Sequence, residues 1–355
     1  MRKRIKTIKD NNSPFSYYGF SPKEAKKYPV ISRILRQLTP ERIKREVEAI
    51  QRVKLPPELQ KWVKEYEKVG ERDEFIWKWI YNAMQILTLP IVNKRYKRSL
   101  WTIKTCSLVI FDILLNDAAD KMKNKRLLDE LIEIPFLERN LQYKHLDQKE
   151  IDYLFFTKKI WGDTLNKIKH FPRYKELKDI FYYDISQILV AIRYDFLTAN
   201  YPYLINKTES LIYPLYTMSG MLCGTLDLMC SPKFKKKELG KIREVIWHAQ
   251  KMARIGNWVS TWEREIEEND FTSGVFAYAL ANKVINIEDL KKDNHNIIYT
   301  KIKRSLIEKE ILNEWEQSYK KVSKLSQEVN SGNFEKFLSG LEKLIVLELS
   351  SRKYK

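Results

Sequence analysis

The chain of 355 residues is long enough for one large domain or two smaller ones, and its composition restricts the choice. Ten glycines and few stretches of alternating β-branched residues argue against sheets. Three cysteines cannot form a fully paired disulfide framework, and four scattered histidines lack the spacing of metal ligands.

The formal net charge of +19 raises the question of a polyanionic partner. The lysines are dispersed rather than gathered into one stripe, so we expect a solvated surface and no specific nucleic-acid partner. A basic helical protein that binds nucleic acid or acts as a scaffold is the alternative from another functional class.

The N-terminus carries no recognisable targeting signal, because its basic residues lead into a polar stretch rather than an apolar one. No segment is expected to reach the roughly 20 apolar residues that a membrane span needs. Together with the cysteine content, these features predict a cytoplasmic protein without a membrane span.

The first predicted segment is a basic N-terminal extension with short helices, assigned to residues 1–60. Residues 1 to about 30 are basic and rich in turn signals, and short helices are expected to open around Pro40 and Pro57. No Gly/Ser/Pro-rich linker divides the rest of the chain, so residues 61–355 are predicted to form a single α-helical domain.

Helical periodicity extends through this domain and predicts an all-α fold. An aromatic-rich helix is expected from Asp73 to about Leu89, where Pro90 ends it. The helices that follow are predicted at 96–123, 125–132, 148–169, 174–199, 206–229, 233–268, 271–283, 298–329 and 333–350.

An acidic stripe marks the first of these helices. Asp117 and Asp120 lie at i and i+3, so they share a side and can jointly hold a divalent ion. Asn116 lies on the same inward stripe, together with apolar residues. Asp112, one turn earlier, is either a further anionic group for the site or a supporting residue.

The longest predicted helix changes chemistry along its buried face. Apolar residues recur from Ile242 to Gly256, and the same stripe continues with Asn257, Thr261 and Glu265. At 100° per residue, these three side chains share one face over roughly 12 Å of helix axis. Oxygen-bearing groups facing a core are costly unless something satisfies them, and a cation held with a phosphate would do so.

These two stripes carry a resemblance to a known family. Asn116-Asp-Ala-Ala-Asp120 resembles the Asp-Asp-x-x-Asp motif of class I terpene synthases, and Asn257-x-x-x-Thr261-x-x-x-Glu265 resembles their second metal motif, in the same order. The resemblance implies an isoprenoid-synthase-type helical bundle around a central cavity. It also implies Mg²⁺ as cofactor, with three ions, and metal ligands at Asn116, Asp117, Asp120, Asn257, Thr261 and Glu265.

The activity implied is ionisation of a linear prenyl diphosphate to a carbocation that cyclises, with release of pyrophosphate and with C15 or C20 substrates favoured. Five residues are the predicted catalytic set: Asp117, Asp120, Asn257, Thr261 and Glu265. Chain elongation is disfavoured, because that reaction normally uses two aspartate-rich motifs. The oligomeric state, including a homodimer, is left open.

The chain departs from the family in three places. Asn116 replaces the first aspartate, which removes one anionic ligand. No arginine occurs in 213–221, where the family carries its diphosphate-sensing arginine, so Arg193 is considered instead. The C-terminal Arg352 and Tyr354 only approximate the family's Arg-Tyr pair. A catalytically weak relative with this fold is therefore kept as an alternative.

Two glycines, Gly220 and Gly224, interrupt a predicted helix between the motifs. A glycine inside a helix costs about 1 kcal/mol relative to alanine, so the pair requires an explanation. In the resembled family this helix breaks beside the substrate, which supports a break at one of them. Ordinary close helix packing is the other explanation.

The remaining site predictions rest on placement near the motifs. Arg254 and Arg264 lie close to the triad and are assigned to the diphosphate, although a salt bridge to a neighbouring glutamate is the competing role. Aromatic faces would stabilise a carbocation by about 0.5–2 kcal/mol per contact. The predicted cavity-lining aromatic residues are Trp77, Tyr81, Phe111, Tyr213, Tyr216 and Trp258.

Overall fold

The computed structural model describes residues 18–136, 141–290, 294–352 and 354. Every regular element in these ranges is a helix, which confirms the predicted all-α class. The basic residues 1–17 of the predicted extension lie outside the described residues. The α-helices are α1 Pro22–Lys27, α2 Pro29–Arg36, α3 Pro40–Gln51, α4 Pro57–Tyr66, α5 Glu74–Ile86, α6 Lys97–Leu108, α7 Lys125–Leu131, α8 Gln148–Ile168, α9 Tyr174–Asn200, α10 Lys207–Ser210, α11 Gly220–Met229, α12 Leu239–Glu267, α13 Gly274–Ala281, α14 His295–Lys303, α15 Ile307–Gln327 and α16 Glu335–Ser350.

The early helices pack on the late ones. The backbone amide of Ile31, at the start of α2, donates to Glu316 Oε2 of α15 at 2.8 Å. Ile31 and Leu35 are fully buried and belong to the same apolar cluster as the later helices. The described part of the N-terminal segment is therefore docked on the main helical body, and the domain boundary near residue 60 stays a prediction.

The long helix α12 lies at the centre of the bundle and packs on α15, α16 and α11. One of its two glycines, Gly256, permits the close approach of α16, because a Cβ there would lie 2.9 Å from Glu348 Cγ. A side chain at position 256 would therefore have to displace side chains of α16.

Beyond α6 the backbone continues in two π-helical segments, Val109–Leu115 and Asp117–Lys121. The whole stretch Lys94–Lys121 is the one helix in the described ranges that is long and apolar enough to cross a membrane by length and composition. Because 78% of its most apolar window is buried, it also has the character of a core helix. The sequence analysis expected no segment of sufficient length and apolar character, and this helix is an exception to that expectation.

The predicted helix break falls directly before Gly220. A 3₁₀ turn, Tyr213–Met218, precedes it, and Ser219 adopts φ = 50°, in the left-handed region. Gly224 lies inside α11, where a Cβ would come within 2.4 Å of Ile246 Cδ1. The two glycines therefore have different causes: Gly220 begins a new helix after the break, and Gly224 permits close helix packing.

An ion pair is buried between α6 and α11. Lys104 Nζ lies 2.9 Å from Asp227 Oδ1, and both side chains are 1% exposed. Asp227 Oδ2 also accepts from the Leu89 amide at 2.8 Å. Removing one partner of such a pair leaves a buried charge without compensation, which costs more than the intact pair contributes.

We therefore expect Lys104→Met to lower the free energy of unfolding by about 3–5 kcal/mol, measured by urea denaturation followed by circular dichroism. The control is Lys125→Met, which breaks the exposed pair with Asp129 and should cost about 1 kcal/mol or less. Equal losses in the two variants would contradict the analysis.

Candidate functional site

A cavity of about 130 Å³ lies between the π-helical segments and α12, and we call it the polar chamber. Helix α5 and the loop after α12 complete its wall. All six motif residues line it, although the two motifs are about 140 residues apart in sequence: Asn116, Asp117, Asp120, Asn257, Thr261 and Glu265. The structure therefore brings the two predicted oxygen clusters together.

The π-helical backbone decides which acidic residues face the chamber. Its lining residues recur every four to five positions: Leu108, Asp112, Ile113, Asn116, Asp117, Asp120 and Lys121. A π-helix has about one residue per turn more than an α-helix, which keeps this series on one side. The α-helical stripe predicted from sequence also contained Leu115 and Ala119, and both are instead buried in the core.

Asp117 is held by an arginine that the sequence analysis missed. Arg72, just before α5, donates from Nε to Asp117 Oδ2 at 3.2 Å and from Nη2 to Oδ1 at 2.5 Å. Asp117 is only 6% exposed, so this two-point pair compensates a buried charge. Arg72 lies in a loop, where helical periodicity gives no signal of which way a side chain points.

Asp120 is held by the residue that departs from the aspartate-rich motif. Asn116 Nδ2 donates to Asp120 Oδ2 at 2.5 Å, a bond that an aspartate at position 116 could not donate when ionised. Burial raises the pKa of Asp120 well above its usual range, and the nearby carboxylates of Asp270 and Asp117 raise it further. The Oδ1 atom of Asn116 is buried without a partner.

The oxygen atoms of the second motif, along α12, differ in whether they have hydrogen-bond partners. Asn257 Oδ1 accepts from Arg254 Nη1 at 3.2 Å, and Thr261 Oγ1 donates to the Asn257 carbonyl at 2.7 Å. Glu265 is 7% exposed, and its Oε2 atom has no hydrogen-bond partner. Burial, aided by the nearby charge of Asp270, raises the pKa of Glu265 to about 7.

The helix break reaches the chamber through one hydrogen bond. Ser219 Oγ donates to Asp112 Oδ1 at 2.5 Å, which joins the break to the π-helical segment. Asp112 lines the chamber, and burial raises the pKa of its carboxyl well above the usual range. Asp112 therefore lies at the predicted metal site, where the sequence analysis considered it as a further anionic group or a supporting residue.

Four cationic side chains line the polar chamber: Arg72, Lys121, Arg254 and Arg264. Arg264 lines the chamber. Its Nε also lies 3.5 Å from Glu268 Oε2, so the side chain makes the salt bridge that the sequence analysis considered as its competing role. The prediction that Arg193 binds the diphosphate is corrected, because Arg193 is exposed on α9 and does not line the chamber. The inward face of α9 passes through its neighbours Ile192 and Asp195, which are fully buried.

The predicted aromatic lining is also corrected. Among the described residues, none of Trp77, Tyr81, Phe111, Tyr213, Tyr216 and Trp258 lines the chamber. The first five pair with other rings in the structure, at centroid distances of 5.0–6.4 Å, and Trp258 packs over Gly274. On α5 the face toward the cavity runs through Ile76, Trp79 and Ile80, one residue out of phase with the predicted stripe.

Behind the polar chamber lies an apolar chamber of about 70 Å³. Trp79, Leu108 and Met218 line both chambers, so the two adjoin. The apolar chamber is lined mainly by Met84, Leu87, Cys223, Ile246, Phe337 and Leu344, and its lining also includes the Lys104–Asp227 pair. A polar compartment thus leads into an apolar one.

The oxygen atoms that line the polar chamber are suitable ligands for a hard cation such as Mg²⁺. Carboxylate and amide oxygens are the ligands that Mg²⁺ prefers, and the buried, unpartnered atoms Glu265 Oε2 and Asn116 Oδ1 supply open lone pairs. Within the described ranges, however, no group of three or more His, Cys, Asp or Glu side chains is gathered as a metal site. Instead, hydrogen bonds from Arg72 and Asn116 set the orientation of the Asp117 and Asp120 carboxylates.

No protein-family model matches the chain, and no curated protein matches it. Among solved structures, the chain is similar to farnesyl diphosphate synthase of T. brucei, with 13% sequence identity and a TM-score of 0.46. The similarity covers 94% of this chain and 98% of that one. At this identity and TM-score the likeness assigns no fold family and no residue role to this chain.

A further carboxylate, Asp195 of α9, is fully buried, and both of its oxygens lack a hydrogen-bond partner. Burial raises the pKa of Asp195 from 3.8 to about 7, with Asp270 adding to the effect and Arg254 opposing it. Because the folded state holds this proton more tightly than the unfolded state, stability falls as the pH rises from about 4 to 7 and stays lower above 7.

We expect Asp195→Asn to remove that loss, so that the metal-free variant is more stable than the natural protein by about 4 kcal/mol at pH 8 and much less so at pH 4. Urea denaturation at several pH values measures this difference. Asp179→Asn, an exposed change on the same helix, serves as the control and should leave the pH profile unaltered. A pH-independent effect of Asp195→Asn would contradict the prediction.

Proposed function

We propose that this chain is a Mg²⁺-dependent class I terpene synthase that ionises a linear prenyl diphosphate and releases pyrophosphate. The observation that carries the proposal is the meeting of both motifs in one polar chamber, with four cationic side chains beside them and an apolar chamber behind. A diphosphate head and a hydrocarbon tail need this pair of environments.

The proposed ligands are the six motif residues, and Mg²⁺ bound there would neutralise the charge that develops on the leaving diphosphate. Arg72, Arg254, Arg264 and Lys121 supply charge-assisted donors for the diphosphate oxygens. Arg254 lies next to the helix break, 4.0 Å from the Met218 sulfur. We assign it the diphosphate-sensing role that no residue of 213–221 can supply.

Trp79 is the proposed aromatic group for stabilising a carbocation. It lines both chambers and is 6% exposed, and its indole Nε1 donates to Ser351 Oγ at 3.2 Å, which fixes the ring. A ring held at the junction of the chambers can present its face to a positive charge that forms beside the diphosphate. Ile76 and Ile80 add apolar surface to the same wall.

The size of the apolar chamber bears on the substrate. Its volume of about 70 Å³ is smaller than the roughly 150 Å³ cavity that accommodates benzene. The C15 and C20 tails favoured by the resemblance therefore require the walls to move, whereas a short prenyl tail requires less movement. The substrate panel should include short and long prenyl diphosphates.

The other functional class remains a basic nucleic-acid-binding or scaffold protein. It predicts strongly salt-dependent binding to polyanions and no dependence on the chamber residues. We propose instead a cytoplasmic enzyme whose partner is the prenyl diphosphate, with no specific nucleic-acid partner and with a homodimer to be tested by light scattering. The buried position of the motifs supports this choice, because a surface that binds polyanions needs no interior acidic cavity.

With Mg²⁺ and a panel of prenyl diphosphates, we expect the purified chain to release pyrophosphate and a hydrocarbon detectable by gas chromatography. Asp120→Ala and Glu265→Ala should each lower turnover by about 10³-fold, since each removes charge from the metal site. Asp152→Ala, an exposed change, is the control and should keep full turnover. Retained turnover in the chamber variants, or none from any substrate in the natural chain, would refute the proposal.

Arg72→Met should weaken binding of inorganic pyrophosphate in the presence of Mg²⁺ by about 10- to 100-fold, because one charge-assisted donor is lost. Isothermal titration calorimetry measures the affinity, and circular dichroism checks that the helices remain. Arg52→Met breaks an exposed pair with Glu48 and should leave pyrophosphate binding unchanged. Unchanged binding in Arg72→Met would exclude Arg72 from the diphosphate site.

A further inference from the structure

The turn after α12 folds back onto the last turn of that helix. Asn269 adopts φ = 55°, and its amide donates to the Ile266 carbonyl at 3.1 Å. The amide of Asp270 donates to the Glu265 carbonyl at 2.9 Å. A left-handed residue just past a helix end reverses the chain in this way, and asparagine tolerates that conformation better than most residues. The turn therefore places Asp270 beside Glu265.

Only one oxygen of the Asp270 carboxylate is engaged by the described residues. Oδ1 accepts from the Thr272 amide at 2.9 Å and from Thr272 Oγ1 at 2.7 Å. Oδ2 accepts no hydrogen bond from the part of the chain that the structure describes. Because Asp270 and Thr272 both line the polar chamber, one carboxylate oxygen is fixed in orientation and the other is available at the wall.

A separate observation points to a ligand at the same place. Glu265, 7% exposed, presents its unpartnered Oε2 in this chamber, and the buried Oδ1 of Asn116 is unpartnered too. Unpartnered buried oxygens with lone pairs call for a donor or a cation. Asp120, Glu265 and Asp270 all line this chamber, and a backbone hydrogen bond joins Asp270 to Glu265.

Charge balance gives Asp270 a specific role. Asn116 contributes an amide where the resembled motif has a carboxylate, and it uses its amide group to hold Asp120. The first motif is therefore one negative charge short. Given that the chamber binds Mg²⁺, as the proposed function requires, we propose that Asp270 and Glu265 together hold one of the ions, and that Asp270 supplies the charge that Asn116 lacks.

The test measures metal binding directly, without substrate. Mn²⁺ is titrated into the metal-free full chain and followed by electron paramagnetic resonance, with Mg²⁺ competing. We expect Asp270→Asn to weaken Mn²⁺ binding at least 10-fold or to remove one bound ion. Glu267→Gln is the matched control: it removes the same charge from an exposed position at the same helix end, and Mn²⁺ affinity should be retained.

A second variant separates a lost ligand from a disturbed turn. Asparagine at position 270 keeps an oxygen to accept from Thr272, so the turn should persist, as thermal unfolding will check. In the Asp270→Asn background, Asn116→Asp should recover part of the lost Mn²⁺ affinity by returning the charge to the first motif. Natural Mn²⁺ affinity in Asp270→Asn, or no Mn²⁺ bound by the natural chain, would overturn the inference.

The outcomes for the two proposals can be told apart. If Asp270→Asn loses Mn²⁺ while the natural chain releases no pyrophosphate from any prenyl diphosphate, the metal ligand is upheld and the synthase reaction is not. If the natural chain turns over and Asp270→Asn binds Mn²⁺ normally, the reaction is upheld and the ligand is excluded.

Discussion

Burial of carboxylates around the polar chamber is the constraint on which the rest of the site depends. Burying an ionised carboxylate costs free energy unless a cation or hydrogen-bond donors compensate it. Arg72 compensates Asp117, Ser219 donates to Asp112, and Asn116 donates to Asp120. Glu265 keeps an unpartnered oxygen. The described residues therefore leave oxygen lone pairs of the chamber without a partner, which supports the proposed cation site.

Three departures from regular helix build this chamber. The π-helical backbone brings Asp117 to the same side as Asp112, whereas a regular α-helix, at 100° per residue, would place the two about 140° apart. Ser219 and Asn269 adopt the left-handed conformation, one at the helix break and one at the end of α12. This conformation is costly for serine, whereas asparagine adopts it readily just past a helix end. Ser219 and Asn269 each adjoin a residue that lines the chamber, Met218 and Asp270.

The two chambers offer the two environments that the proposed reaction requires, one for the charged head of the substrate and one for its hydrocarbon part. Cationic and oxygen-bearing groups collect in the polar chamber, where they can bind a charged head. Trp79 lies at the junction, and the apolar chamber beyond it has a mainly apolar lining that also includes the Lys104–Asp227 pair. Separation of this kind lets strong electrostatics act on a leaving group while the hydrocarbon part remains shielded from water, since charge interactions gain strength where water is excluded.

The sequence by itself determined the helical class and the residues of both motifs, because helical periodicity and side-chain chemistry are local properties. The stripe from Asn257 to Glu265 faces the chamber as its spacing predicted. Only the tertiary structure decided that Arg72 and Asp270 join the site and that Arg193 does not. Arg72 and Asp270 lie in loops, whose direction follows from packing and capping rather than from periodicity. The aromatic lining was misassigned for a related reason: the rotation of α5 about its axis depends on its neighbours, so Trp79, not Trp77, faces the cavity.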